Sequence, residues 1–182
     1  MIFRMSWCTK RQAFNLFMIT LGIDPGTAQM GWGIVERREL KDRKPKVLYV
    51  SHGMITTPST DPLSKRLVVI KNGVEELVSS HGVGEIVIER VVFNVNKKSA
   101  ISVAQAYGVV MLLAGERDIP VYEYNALEAK LNLTGHGRAE KKDVQSSLKT
   151  LFKMEKHPTP VHAADALAIA LCHIAKTSNL NS

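Results

Sequence analysis

"TLGIDPGTAQMGWGIV", Thr20 to Val35, decides the fold. Ile19, Leu21 and Ile23 alternate in the manner of a strand. Asp24 follows at once, then Pro25-Gly26, then a second Gly-rich apolar run. A carboxylate at the end of a buried strand, against a turn that leaves it little freedom, has two explanations. It makes the turn, or it belongs to a site that other parts of the chain complete.

Working outward, Met18–Asp24 is predicted as the first strand and Gly31–Arg38 as the second. "ELKDRKPK", Glu39 to Lys46, reads as a charged connection, and Val47–Thr57 as a third strand. Short links between the three predict an antiparallel meander. The period then changes. Asp61-Pro62 reads as a helix start, with an N-cap acid and Pro at the first helical position. Leu63, Leu67, Ile70, Val74 and Leu77 mark one buried helix face, which Gly82 can close. Glu85–Glu89 is predicted as strand four, Ser99–Asp118 as a second helix and Pro120–Tyr124 as strand five. Helical patterns follow at Ala126–Leu133, Ala139–Met154 and Ala163–Lys176. Strands four and five are joined through a helix and are expected to be parallel. The assembly is an α/β fold: a mixed five-stranded sheet, three antiparallel strands then two parallel, with helices on both faces.

The totals agree with one such domain. The chain has 182 residues, 45% hydrophobic and 23% charged, which are globular values. No apolar run is long enough for a membrane span. Cys8 and Cys172 stand far apart and match no metal spacing, so a reduced, cytoplasmic protein is expected. The net charge is +7, of which Arg4, Lys10 and Arg11 in the acid-free first seventeen residues supply +3. The excess favours a nucleic-acid partner without requiring one. Residues 1–17 read as a leader, disordered, cloning-derived or placed by a mis-set start codon, rather than a targeting signal, because polar residues interrupt the apolar stretch. The domain is expected over 18–176 with a tail at 177–182.

Glu89 repeats the oddity of Asp24: it ends the apolar run Ile86–Ile88 just before a loop. Open α/β sheets gather ligands at strand carboxyl ends. If strands one and four are neighbours, these acids face each other across roughly 5 Å. Bare carboxylates that close repel, and a divalent cation removes the conflict. "VHAADALAIALCH", Val161 to His173, adds His162 and Asp165, three apart on one helix face. Its alanines let that helix lie close to the sheet. Each residue also has an ordinary role: turn-maker for Asp24, strand-end surface acid for Glu89, dipole acid for Asp165, loop or cap residue for His162.

Taken together, "LGIDPGT…GWGIVE", "VIERVVFN", "SAISVAQAYGV", "PVYEYNALEAKLNLTGHGRAEKKDVQ" and "HAADALAIALCH" resemble the RuvC-type Holliday junction resolvases of bacteria, in order and spacing from Met18 to His173. The resemblance implies an RNase H-like fold. It implies a homodimer that cuts four-way DNA junctions at symmetric positions with divalent metal, in recombination and repair. It places catalytic, metal-binding acids at Asp24, Glu89 and Asp165, with His162 at a position that is Asp in many members and His in some. Basic junction contacts match Lys130 and Lys141, and Arg138, Lys142 and Arg90 are further candidates. Val92 stands where an aromatic wedge is common in the family, so the wedge is either displaced one residue to Phe93 or absent; Tyr107 stands where Arg is common. A branch-migration complex, RuvAB, is the implied partner. Two Mg²⁺ per site, replaceable by Mn²⁺, are expected, with Asp24 bridging, Glu89 on the water side, and Asp165 with His162 at the leaving oxygen. His162 has a second possible role as general base.

Three rivals remain from the residues alone. An actin-like or sugar-kinase-like ATPase also carries "GIDxGT" but needs two lobes. An RNase H-like nuclease could act on another substrate, such as an RNA–DNA hybrid. A non-catalytic DNA-binding module is disfavoured by the presence of every candidate ligand.

Overall fold

Five strands hydrogen-bond in the order β3-β2-β1-β4-β5 in the computed structural model, which describes residues 17–41, 43–90 and 97–178. β1 (Phe17–Asp24) pairs antiparallel with β2 (Gln29–Leu40), and β2 with β3 (Arg43–Thr56). β1 pairs parallel with β4 (Glu85–Glu89), and β4 with β5 (Val121–Tyr124). The mixed sheet is therefore as expected, and the link between β2 and β3 is tighter than expected. Glu39–Lys46 is not mainly a connection, because the ladder continues out to Leu40 opposite Arg43. The leader's residues 1–16 and the tail's 179–182 lie outside the described residues.

Alternation along the strands splits the side chains between two cores. Leu21, Ile23, Ile86 and Ile88 pack under α1 (Leu63–His81) and α2 (Lys97–Glu116). Val35 and Val87 face the opposite side, where they meet α3 (Ala126–Thr134), α4 (Lys141–Phe152) and α5 (Val161–Thr177). α5 is the central helix of that side, and Ala163, Ala164, Ala166, Leu167, Ile169 and Ala170 are all buried. It lies very close to the strands. A Cβ at Gly22 would overlap the Ala166 carbonyl oxygen, and one at Gly31 the His162 carbonyl oxygen. Small residues on both surfaces are what permit that approach.

Helix ends differ from expectation in several places. Asp61 does not cap α1; Pro62 is the flanking residue, extended at φ −54°, ψ 140°, so the helix opens at Leu63. Its close at Gly82, left-handed at φ 65°, is as expected. α2 ends at Glu116, and Asp118 adopts φ 53° in the turn beyond it. α4 starts at Lys141 because Glu140 and Asp143 form a capping box.

Candidate active site

The parallel pairing of β1 and β4 brings Asp24 and Glu89 to adjacent strand ends, one step beyond the Ile23–Ile88 pair. Both lie on the α5 side of the sheet, by alternation from Leu21–Ile23 and Ile86–Ile88. α5 begins directly above them. Its first turn brings His162 Nδ1 to 2.7 Å from Asp24 Oδ2. Asp24, His162 and Asp165 each offer a ligand atom, all within 4.8 Å of one another. Glu89 stands beside this trio rather than within it.

The electrostatics distinguish these acids from ordinary surface carboxylates. Burial pushes Glu89 up to about 7, helped by the charges of Asp24 and Asp165 and a hydrogen-bonding contact with Asp24. Burial also raises Asp24, against the hydrogen bond and charge of His162. Asp165 is raised by burial too, although Lys141, Lys130 and His162 pull the other way. A purely dipole-stabilised acid would be lowered, so helix position does not account for Asp165. Turn-making does not account for Asp24 either, because its carboxylate is bound to a helix 138 residues away in sequence. The donor set suits a divalent cation: carboxylate oxygens and one imidazole, desolvated together, with too little positive charge nearby to balance them.

Lys130 and Lys141 belong to this cluster by field. Lys130 acts on Glu89 and Asp165, and Lys141 on Asp24 and Asp165. They come from α3 and the first turn of α4, joined by a turn that begins at Gly135, left-handed at φ 78°. Arg138 and Lys142 flank the same turn and are exposed. Arg90 leaves the end of β4 toward solvent, where its Nε lies 3.4 Å from Glu123 Oε2. The Tyr107 hydroxyl donates to the other Glu123 oxygen. Glu123 was not among the sequence candidates; its one signal is an acid in the short strand "VYEY". Phe93 and Val92 lie outside the described residues. A cavity of about 610 Å³ between β3, α3, α4 and α5 is lined by Val47, Leu133, Leu151 and Ile174 among others, with no titratable side chain, and is separate from the acids.

The model of the family described as "Crossover junction endodeoxyribonuclease RuvC" matches residues 20–173. The chain belongs to the RuvC family. A RuvC of Rubrobacter xylanophilus is 43% identical over 155 residues, covering 85% of this chain and 84% of that protein. One of Clostridioides difficile is 41% identical over 156 residues, covering 86% and 89%. The RuvC of Thermus thermophilus in complex with Holliday junction substrate superposes with a TM-score of 0.80 at 31% identity, covering 89% of this chain and 96% of that one. The yeast mitochondrial resolvase Ydc2, at 13% identity and TM-score 0.58, shares the fold. This RuvC-family chain thus has the resolvase fold, the RNase H-like arrangement expected from its sequence.

Proposed function

We propose that the protein is a metal-dependent endonuclease that resolves four-way DNA junctions by paired symmetric cuts. The convergence of Asp24, Glu89, His162 and Asp165 from three elements of a RuvC-family fold carries this reading. Divalent ions held there, two Mg²⁺ with Mn²⁺ as a substitute, supply an activated water and charge relief at the leaving 3′ oxygen. Asp24 and Glu89 would hold the ions together with Asp165 and His162, Glu89 toward the attacking water and Asp165 with His162 toward the leaving group. His162 holds Asp24 in place through its 2.7 Å contact with Oδ2. Lys130 and Lys141 take the scissile strand's phosphates. Arg138, Lys142 and Arg90 add contacts along the junction arms, and Phe93 is the wedge against its bases.

Two cuts need two sites, so the functional unit is a homodimer. α2 supports this: Ile101 and Leu112 are about 60% exposed, on a face where Gly108 and Gly115 have open space above them. Such a small-residue, apolar stripe suits a second copy of the same helix. The protein acts in the cytoplasm, with the branch-migration complex RuvAB as partner. Among the described residues no helix is long and apolar enough to cross a membrane.

The deciding experiment compares a synthetic four-way junction with linear duplex and RNA–DNA hybrid, each with Mg²⁺, Mn²⁺ or EDTA. Junction-selective cutting that EDTA abolishes is expected; equal cutting of the hybrid would move the assignment to another RNase H-like activity. Imidazole suits Mn²⁺ better than Mg²⁺. The Mn²⁺/Mg²⁺ rate ratio is therefore expected to be higher for the native protein than for His162→Asp, and equal ratios would remove His162 from the ligand set.

A further inference from the structure

At the other end of β1 and β4, the same side of the sheet carries a second polar cluster. Thr20 Oγ1 donates to Glu85 Oε1 at 2.6 Å, and His173 Nε2 lies 3.3 Å from Glu85 Oε2. The Tyr124 hydroxyl is 3.1 Å from His173 Nδ1, and the Tyr122 ring lies 4.2 Å from the imidazole between centroids. Thr20, Glu85 and His173 are 0%, 6% and 1% exposed. Stability alone does not account for a buried charged network of this kind, since apolar replacements of similar volume are often neutral or better.

We propose that Thr20, Glu85 and His173 are positioning residues, which fix where α5 sits along its own axis and so place Asp165 and His162. The rest of the contact between α5 and the strands below it is less specific. At Gly22 and Gly31 it is α5 backbone against glycine, and at Gly33 the Leu167 side chain fills the notch, so sliding is resisted there by apolar shape alone. Apolar contact is non-directional, whereas His173 has hydrogen-bonding partners on both ring nitrogens, from β4 and β5. A slip of one residue moves every α5 side chain about 1.5 Å, and misplacement by about 1 Å can cost 10²-fold in rate. Asp165 and His173 share this one helix, so the register set at its carboxyl half is passed rigidly to its first turn.

The inference rests on the metal-site reading above, and the test separates the two. The triple variant Thr20→Val/Glu85→Met/His173→Leu replaces the network with apolar groups. It is expected to keep its melting temperature and its junction affinity in Ca²⁺. Its single-turnover cleavage is expected to fall by about 10–100-fold. Mn²⁺ binding to the DNA-free protein, followed by calorimetry, is expected to weaken several-fold. Cleavage and Mn²⁺ affinity within twofold of native would overturn the proposal. Should the triple variant not fold, Thr20→Val and Tyr124→Phe, which each remove one hydrogen bond and keep the packing, are judged by the same two readouts. Asp24→Asn run alongside tests the site itself: cutting by that variant sinks the nuclease-site reading. An inactive Asp24→Asn beside a fully active triple variant sinks only the positioning role.

Discussion

β1, β4 and α5 build two polar clusters on one face of the sheet, and the two have opposite electrostatics. At the strands' amino ends stand Thr20, Glu85 and His173; at their carboxyl ends stand Asp24, Glu89, His162 and Asp165. Burial opposes the charged form at both. At the amino ends, hydrogen bonds from His173 and Thr20 and the His173 charge outweigh burial and hold Glu85 below the usual carboxylate range. At the carboxyl ends burial prevails, and Glu89 rises to about 7 with Asp24 and Asp165 raised beside it. The more deeply buried cluster is the one whose acid is lowered, so the partners and not the depth set the direction. The Glu85 carboxylate arrives with its donors. The carboxylates at the other end are gathered without enough of them, a shortage that a divalent cation would meet.

The largest effect should come from removing an acid of the unmatched cluster. Asp24→Asn and Glu89→Gln are each expected to lower junction cleavage by on the order of 10³-fold, measured in single turnover, with binding in Ca²⁺ largely kept. A variant that still cuts at a tenth of the native rate would place the chemistry elsewhere.

Next in size is a stability effect of opposite sign at the two ends. Glu89 is raised from 4.5 to about 7 on folding. Its contribution is full below the unfolded value and is lost as pH rises through the folded one. A shift of that size is worth on the order of 3 kcal/mol. In EDTA, urea denaturation should therefore show the protein weaker at pH 8 than at pH 5, and Glu89→Gln should remove most of that difference. Divalent metal at pH 8 should restore stability to the native protein and do less for the variant. Glu85 runs the other way: its folded value is lowered, so its contribution is present above the unfolded pKa and fades as pH falls through the folded one. A native protein equally stable at both pH values in EDTA would mean that the two ends are not electrostatically different.

This contrast also marks what could be read in the sequence. Alternation in Ile19–Ile23 and Ile86–Ile88, followed at once by an acid, marks both strands and the ends where their acids stand; the side of the sheet is known only once the helices are placed. That β1 and β4 are neighbours is only a condition at the level of sequence, where the connection rule reaches β4 and β5; the β1–β4 ladder itself brings Asp24 to Glu89. His162 and Asp165 were legible from spacing, as was the Ala-rich face of α5. Glu85 and His173 were not, since each sits in an apolar run whose pattern reads the same whether a polar member is paired inside or turned out. Pairing across 88 residues leaves no local trace. Asp61 misled for a related reason: Asp-Pro suits a helix start in general, and here Pro62 takes the extended flanking position itself.

The basic residues provide a weaker probe of the same contrast. Lys130 offsets Glu89 and Asp165 only partly. If its main task is phosphate, Lys130→Ala should lower junction affinity and reduce the salt slope by about one unit. Unchanged values for both would make it an ordinary helix lysine with no part in DNA binding.

The smallest effect concerns Arg90, whose pairing with Glu123 lies between the two extremes. The pair is 57% and 36% exposed at the side chains and 3.4 Å long, so it is worth no more than about 1 kcal/mol. Glu123 is held in place by the Tyr107 hydroxyl on its other oxygen. If Arg90 contacts DNA, a phosphate must displace Glu123 from it, and the carboxylate acts as a weak competitor. Glu123→Gln should then tighten junction binding by up to about fivefold at low salt. The gain should shrink as salt rises, because exposed charges about a Debye length apart are screened. Arg90→Ala should weaken binding, and in that background Glu123→Gln should have no effect. An equal gain from Glu123→Gln with and without Arg90 would show that the acid repels DNA directly and that Arg90 takes no part in the contact.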